Sequence, residues 1–300
     1  IRRPPRSTQS RSSAASDVYK RQGMEFAYIL SSFGVEVHIA ELLDRVLPME
    51  DADVSDVVSR TFRRRKIKIS TGVRAVNLEK TKNNIKVKLE AKDGTFTTDE
   101  ACKIVVSAGR SPNTEGIGLE NVGIKTEKGF IPVGDYYQTA LQGIYAIGDV
   151  INTPLLAHVA SKEAEIAAAH MAGRATIKQI EPSYIPSAVY CEPQVGSFGP
   201  TEEAATQAGI KFNKAVFNYK GAGKAVAIEE IDGFVKVLYA PDTKEILAAH
   251  VVGAEATEII HEILLAKTAE LLPEDVAEMI HAHPTLSEAA MEAMKIAEGR

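Results

Sequence analysis

Residues 23–41 read GMEFAYILSSFGVEVHIAE. Over the first eleven, apolar side chains recur at helical spacing. Gly34 stands where helices commonly stop, because a residue without Cβ reaches the left-handed conformation at no steric cost. Val35, Val37 and Ile39 then alternate with polar neighbours, the period of a half-buried strand. A glycine, a helix and a strand in that order form the second half of a nucleotide-binding βαβ unit. The fold class expected from this stretch is α/β.

The first strand of such a unit should precede Gly23. What precedes it is IRRPPRSTQSRSSAASDVYKRQ, residues 1–22, with six Lys/Arg and one Asp. This stretch is +5, and the rest of the 300-residue chain is −10. It has almost no large apolar residues and no apolar run that could serve as a signal-peptide core. A composition break is therefore expected at Gln22/Gly23, with 1–22 a non-native or disordered segment that does not pack. An Arg/Ser-rich start also fits a mitochondrial transit peptide, but Pro4 and Pro5 spoil the amphipathic helix. Foreign residues joined to a coding region truncated within a motif is the better reading.

Downstream, 45% hydrophobic and 25% charged residues describe a chain able to bury real cores in two or three domains. A net charge of −5 gives no electrostatic case for nucleic acid or membrane. No window approaches ~18 continuous apolar residues. A helix is expected at 51–65, with Asp51 or Asp53 at its start and an arginine cluster at its end. Strands are expected at 35–41, 67–70, 73–79, 85–91 and 103–108, with a turn at 92–94. An Ala-rich helix follows at 157–172. Beyond Pro182 an α+β region should carry strands near 187–198 and 226–252, and helices near 201–208, 255–268, 273–280 and 286–297. Cys102 and Cys191 sit 89 positions apart in apolar sequence and read as buried small hydrophobes. No metal site is expected.

Four motifs carry chemistry. Gly23 would be the third glycine of a dinucleotide fingerprint, and Glu41, 18 residues on at a strand end, could accept hydrogen bonds from an adenosine ribose. That favours NAD over NADP, whose 2′-phosphate an acid repels. GRSPNT (109–114) and YAIGDV (145–150) each read as a strand running into a glycine turn, with Asp149 at a strand end. PLLAHVASKEA (154–164) is an amphipathic helix with a lone histidine. HAHPTLSEA (281–289) holds two readings. Thr285 and Glu288 fit a capping box, Thr at the N-cap and Glu at N3. Alternatively His283, ahead of Pro284 and a helix, is a base that Glu288 orients.

The second and fourth motifs together resemble the FAD-dependent pyridine nucleotide–disulfide oxidoreductases, and among them the dihydrolipoamide dehydrogenases. The resemblance covers residues 23–300. It implies a truncated Rossmann-like NAD domain at 23–111, a remnant of the FAD domain at 112–180 and an α+β dimerisation domain at 181–300. It assigns Asp149, Leu155, Leu156, Ala157 and His158 to FAD, and Gly23, Glu25, Glu41, Val73 and Gly109 to NAD. His283 becomes the base that deprotonates a dithiol, Glu288 its orienter, and His281 a supporting residue. It further implies oxidation of protein-bound dihydrolipoyl groups and a homodimer. The other partner would be the lipoyl domain of a 2-oxo acid dehydrogenase or glycine cleavage complex, in the cytoplasm of a bacterium or the mitochondrial matrix. The Cys-x-x-x-x-Cys disulfide and two fingerprint glycines of that family are not in this sequence, so the chain alone is expected to be inactive.

Overall fold

The computed structural model describes residues 18–300. Helix α1 spans Val18–Ser32, so Gly23 lies inside the helix and no backbone break falls at Gln22/Gly23. Lys20, Arg21 and Gln22 are good helix formers, and they extend the helix that buried Met24 and Ala27 anchor. Arg21 lies 3.3 Å from the buried carboxylate of Glu50, so the segment expected not to pack does so at its end. Residues 1–17 of that segment lie outside the described residues. Gly34 closes α1 as expected, with φ of 77° and its N–H bonded to the Ser31 carbonyl.

Strands β1 (His38–Ala40) and β2 (Lys68–Ser70) pair in parallel, and α2 (Ala52–Arg64) crosses between them. The Asp51 side chain caps α2 by accepting from the Asp53 N–H, and Arg63 and Arg64 fill its last turn. That cluster is not merely solvated: Arg64 pairs with Asp232 and Arg65 lies 5.1 Å from the centre of the Tyr28 ring. Strands β3 (Val73–Lys80), β4 (Ile85–Ala91) and β5 (Phe96–Ala101) form an antiparallel meander. β5 was not foreseen, since FTTDEA carries little apolar signal.

The strand expected at 103–108 does not form, and β1 is three residues long where 35–41 was expected. Ile104, Val105 and Val106 are 37%, 56% and 77% exposed, and Cys102 is exposed rather than buried. Extended backbone becomes a strand only when its N–H and C=O groups are paired, and 103–106 has no ladder partner among the described residues.

The C-terminal region builds one antiparallel sheet in the order β6 (Ser187–Val189), β7 (Gln194–Phe198), β10 (Ile246–Gly253), β9 (Phe234–Tyr239), β8 (Asn213–Asn218). The expected strand region 226–252 holds two strands, β9 and β10, and its first two residues instead end a short helix, α5 (Gly223–Ala227). Helices α4 (Glu202–Gln207), α6 (Ala256–Thr268), α7 (Pro273–Glu278) and α8 (Glu288–Ala297) complete it, near the expected places. One face of the sheet, with Val235, Val237 and Val251, joins a core with Ile259, Ile260 and Ala293. The other, with Val195, Phe234 and Val252, joins a core with Met24, Val54 and Phe62. Coverage on both faces explains why β9 reads FVKVLY, apolar almost throughout rather than alternating. At Gly196 a Cβ would lie 2.4 Å from the Ala256 carbonyl, so only glycine lets α6 lie this close to β7.

Residues 21–106 and 181–300 thus form one compact unit, and Ser107–Ile180 forms another. The second has helix α3 (Ala157–Met171) and a core of Ile124, Ile131, Tyr137, Ala146, Ile151 and Ile166. No described helix is long and apolar enough to cross a membrane.

Candidate active site

Helix α8 begins at Glu288 with Ser287 as its N-cap, so Thr285 is not the cap that the sequence suggested. Its hydroxyl donates to the Ala282 carbonyl at 2.8 Å. Only one arm of the expected box exists: Glu288 Oε2 accepts the Thr285 N–H at 2.9 Å. The other oxygen, Oε1, is 2.9 Å from His283 Nδ1. A single carboxylate therefore fixes both the loop and the imidazole. The Thr285 N–H first, and then His283, hold the Glu288 carboxyl below the usual carboxylate range. A carboxylate at Nδ1 selects the tautomer with the proton there, which leaves Nε2 bare as an acceptor. The His283 side chain is 76% exposed, so Nε2 is open to an incoming molecule.

His281, by contrast, is enclosed, 2.7 Å from Glu262 of α6 and 3.0 Å from the Met279 carbonyl. A shallow cavity of about 370 Å³ adjoins the dyad, lined by Lys224, Glu258, Glu262 and Ser287 among others. Glu262 escaped sequence reading because a glutamate on an amphipathic helix has no distinguishing signal.

In the unit built on Ser107–Ile180, the two halves of the GRSPNT/YAIGDV pair meet: the Arg110 guanidinium pairs with the Asp149 carboxylate. Asp149 lies in a 3-10 turn, Gly148–Val150, rather than at the end of a strand. Glu163, fully buried on α3, holds this turn by accepting the Gly148 N–H at 2.6 Å and the Thr153 hydroxyl at 2.7 Å. Sequence reasoning missed Arg110 and Glu163. For Glu163 a signal existed, an acid at position 163 within the buried stripe of Val159, Ile166 and Ala167. At the start of α3, Ala157 and His158 are exposed and Leu156 half-buried, whereas Leu155 belongs to the buried interior. The helix begins without a side-chain cap or an acid in its first turn, so its dipole favours an anionic group at this end.

Glu41 and Val73 are brought together at the C-terminal end of the β1–β2 pair, where the Val73 N–H donates to the Glu41 carbonyl at 3.0 Å. The Glu41 carboxylate accepts the Leu43 N–H at 2.8 Å. Glu25, assigned by resemblance to the same nucleotide, instead turns its carboxylate to the Tyr190 N–H at 3.0 Å. Gly109 has φ of 73° and lies in the other unit.

Sequence comparison names the class. The profile described as pyridine nucleotide-disulphide oxidoreductase matches residues 22–164, and that of the same family's dimerisation domain matches 185–294. The chain belongs to the pyridine nucleotide-disulphide oxidoreductase family. It is 41% identical over 278 residues to a dihydrolipoyl dehydrogenase of Corynebacterium glutamicum, covering 90% of this chain and 59% of that protein. Against the dihydrolipoyl dehydrogenase of Bacillus subtilis it is 41% identical over 280 residues, covering 93% and 59%. The chain thus spans about 59% of the length of these relatives. Among solved structures, LpdA of Mycobacterium tuberculosis superposes with a TM-score of 0.84 at 27% identity, over 92% of this chain and 59% of that one. The flavoprotein disulfide reductase RclA of Escherichia coli shares the fold, with a TM-score of 0.84 at 22% identity over 92% and 62%.

Proposed function

We propose that this chain carries the dithiol-deprotonating and cofactor-contacting parts of a dihydrolipoyl dehydrogenase, which oxidises protein-bound dihydrolipoyl groups with FAD and NAD. The observation that carries this reading is the His283–Glu288 pair: an exposed imidazole whose Nδ1 is anchored and whose Nε2 is bare. Nε2 accepts the proton of a dihydrolipoyl thiol, and the Glu288 carboxylate stabilises the imidazolium that results. The resulting thiolate, not the thiol, is the nucleophile in disulfide exchange.

The residues present fit both cofactors. Asp149 and the uncapped start of α3, with Leu156, Ala157 and His158, would hold FAD; Glu41 and Val73 would hold the adenosine half of NAD. When bound, these groups supply the path for two electrons from disulfide to nicotinamide. The partners on this reading are a second copy of the chain and a lipoyl domain. The 300 residues hold two cysteines, neither in a Cys-x-x-x-x-Cys pair, so the chain alone is not expected to turn over dihydrolipoamide.

The test is made in an enzyme completed by joining a relative's N-terminal portion to residues 23–300. His283→Gln should lower dihydrolipoamide oxidation about 100- to 10,000-fold. Electron transfer from NADH to an artificial acceptor, which needs no thiol deprotonation, should survive. Equal loss of both activities with the fold intact would make His283 structural.

A further inference from the structure

A second arrangement of reactive side chains lies outside the dyad and outside the cofactor positions. Register pairs His38 of β1 with Lys68 of β2, so Ser70, two residues on, projects from the same face of the sheet. His38 Nε2 is 2.9 Å from Ser70 Oγ. Its other nitrogen, Nδ1, is hydrogen-bonded to the carboxylate of Asp99 on β5. Three residues from three strands thus form the order hydroxyl, imidazole, carboxylate.

The chemistry follows from that order. Burial works against charge on Asp99, but the His38 hydrogen bond and the Glu100 N–H outweigh it and hold the carboxyl below its usual range. Lys68 Nζ, 3.4 Å away, adds to the same effect. An ionised Asp99 keeps the proton on His38 Nδ1, so Nε2 is the acceptor that faces Ser70. The site is partly enclosed yet reachable, with the His38 side chain 18% and Asp99 35% exposed. Ser70 also ends its strand, and the N–H of Thr71, next in the chain, makes no hydrogen bond among the described residues. The N–H after a nucleophilic serine is a donor that acyl-transfer sites use for the developing oxyanion.

We propose that Ser70, His38 and Asp99 form a nucleophilic triad that accepts an acyl group from a small activated ester. Ser70 Oγ bonds to the acyl carbon as the ester C–O bond breaks. Its proton passes to His38 Nε2 and then to the departing alkoxide or phenoxide oxygen. Water next attacks the acyl-Ser70, gives a proton through His38 back to Oγ, and releases the carboxylic acid. No electrons change hands, so this activity is independent of the redox reading.

The test uses the full chain and p-nitrophenyl acetate, with stopped-flow absorbance and mass spectrometry of the trapped protein. The expected result is a burst of up to one equivalent and a single acetyl group on Ser70. Ser70→Ala should abolish the burst, and Asp99→Asn should slow it at least about 100-fold, because the imidazole loses its favoured tautomer. Ser70→Cys, which changes one atom, should still acylate at position 70 and decides the matter if the alanine variant fails to fold. Acetyl groups confined to lysines, or an undiminished burst in folded Ser70→Ala, would overturn the proposal.

Discussion

FVKVLY at 234–239 and KIVVSA at 103–108 are about equally apolar, and they end differently. The first is β9, every residue buried between two ladder partners and two covered faces. The second is irregular, with Val106 at 77% exposure. What separates them is company rather than composition. β9 finds β8 and β10 close by in sequence on either side, whereas 103–106 has no partner strand among the described residues. A strand is a property of a pairing, and apolar sequence only states that pairing would be favourable.

The sharpest way to test this contrast is at the one charged residue of β9. Lys236 is fully buried, and its Nζ meets Asp51 at 2.6 Å, Asp53 at 2.7 Å and Glu202 at 2.6 Å. These three carboxylates lie close enough together to hold a metal ion, and the ammonium takes that position. The cluster ties α2 to the sheet. Lys236→Met should destabilise the protein by about 3–5 kcal/mol in urea denaturation, since Asp51 would stay buried without a counter-charge.

The pH dependence should change sign with it. In the native protein burial opposes charge on Asp51, but Lys236 and the Glu202 N–H outweigh it and hold its carboxyl below the usual range. That contribution is present above the unfolded value of about 3.9 and is lost as pH falls through the lower folded value. Burial likewise opposes charge on Lys236, yet the three carboxylates raise its value above the usual one. Its contribution is present below about 10.4 and lost as pH rises through the raised value. With Lys236 removed, burial governs Asp51 and raises its value, so the variant should gain stability on acidification from neutral pH. A wild-type-like profile in Lys236→Met would show that the cluster does not tie α2 to the sheet.

A smaller effect comes from ordinary packing. Leu238 is fully buried, and Leu238→Ala should cost about 2–5 kcal/mol, read from the denaturation midpoint. The smallest is at the other pole of the comparison. Val106→Ser should change stability by no more than about 0.5 kcal/mol, because the side chain is already in water. A loss of 2 kcal/mol there would mean that 103–106 packs in solution as the apolar sequence first suggested.

The sequence by itself determined the helix that Gly34 closes, the capped helix α2, most of the C-terminal elements and the His283–Glu288 pairing. Each of these is local: a period, a cap, or two side chains five residues apart whose spacing crosses one loop. Only the tertiary structure decided the roles of Arg110, Glu163, Glu262 and Lys236, whose partners lie between 10 and 185 residues away. It also decided that Arg21, in a stretch that composition marks as foreign, serves Glu50 together with Ser187 and Ser197. A buried charge is legible in sequence as an anomaly within an apolar pattern, but its partner is chosen by chain crossings that no local period encodes. For the same reason Ser70, His38 and Asp99 are three unremarkable residues in the sequence and one hydrogen-bonded set in the fold.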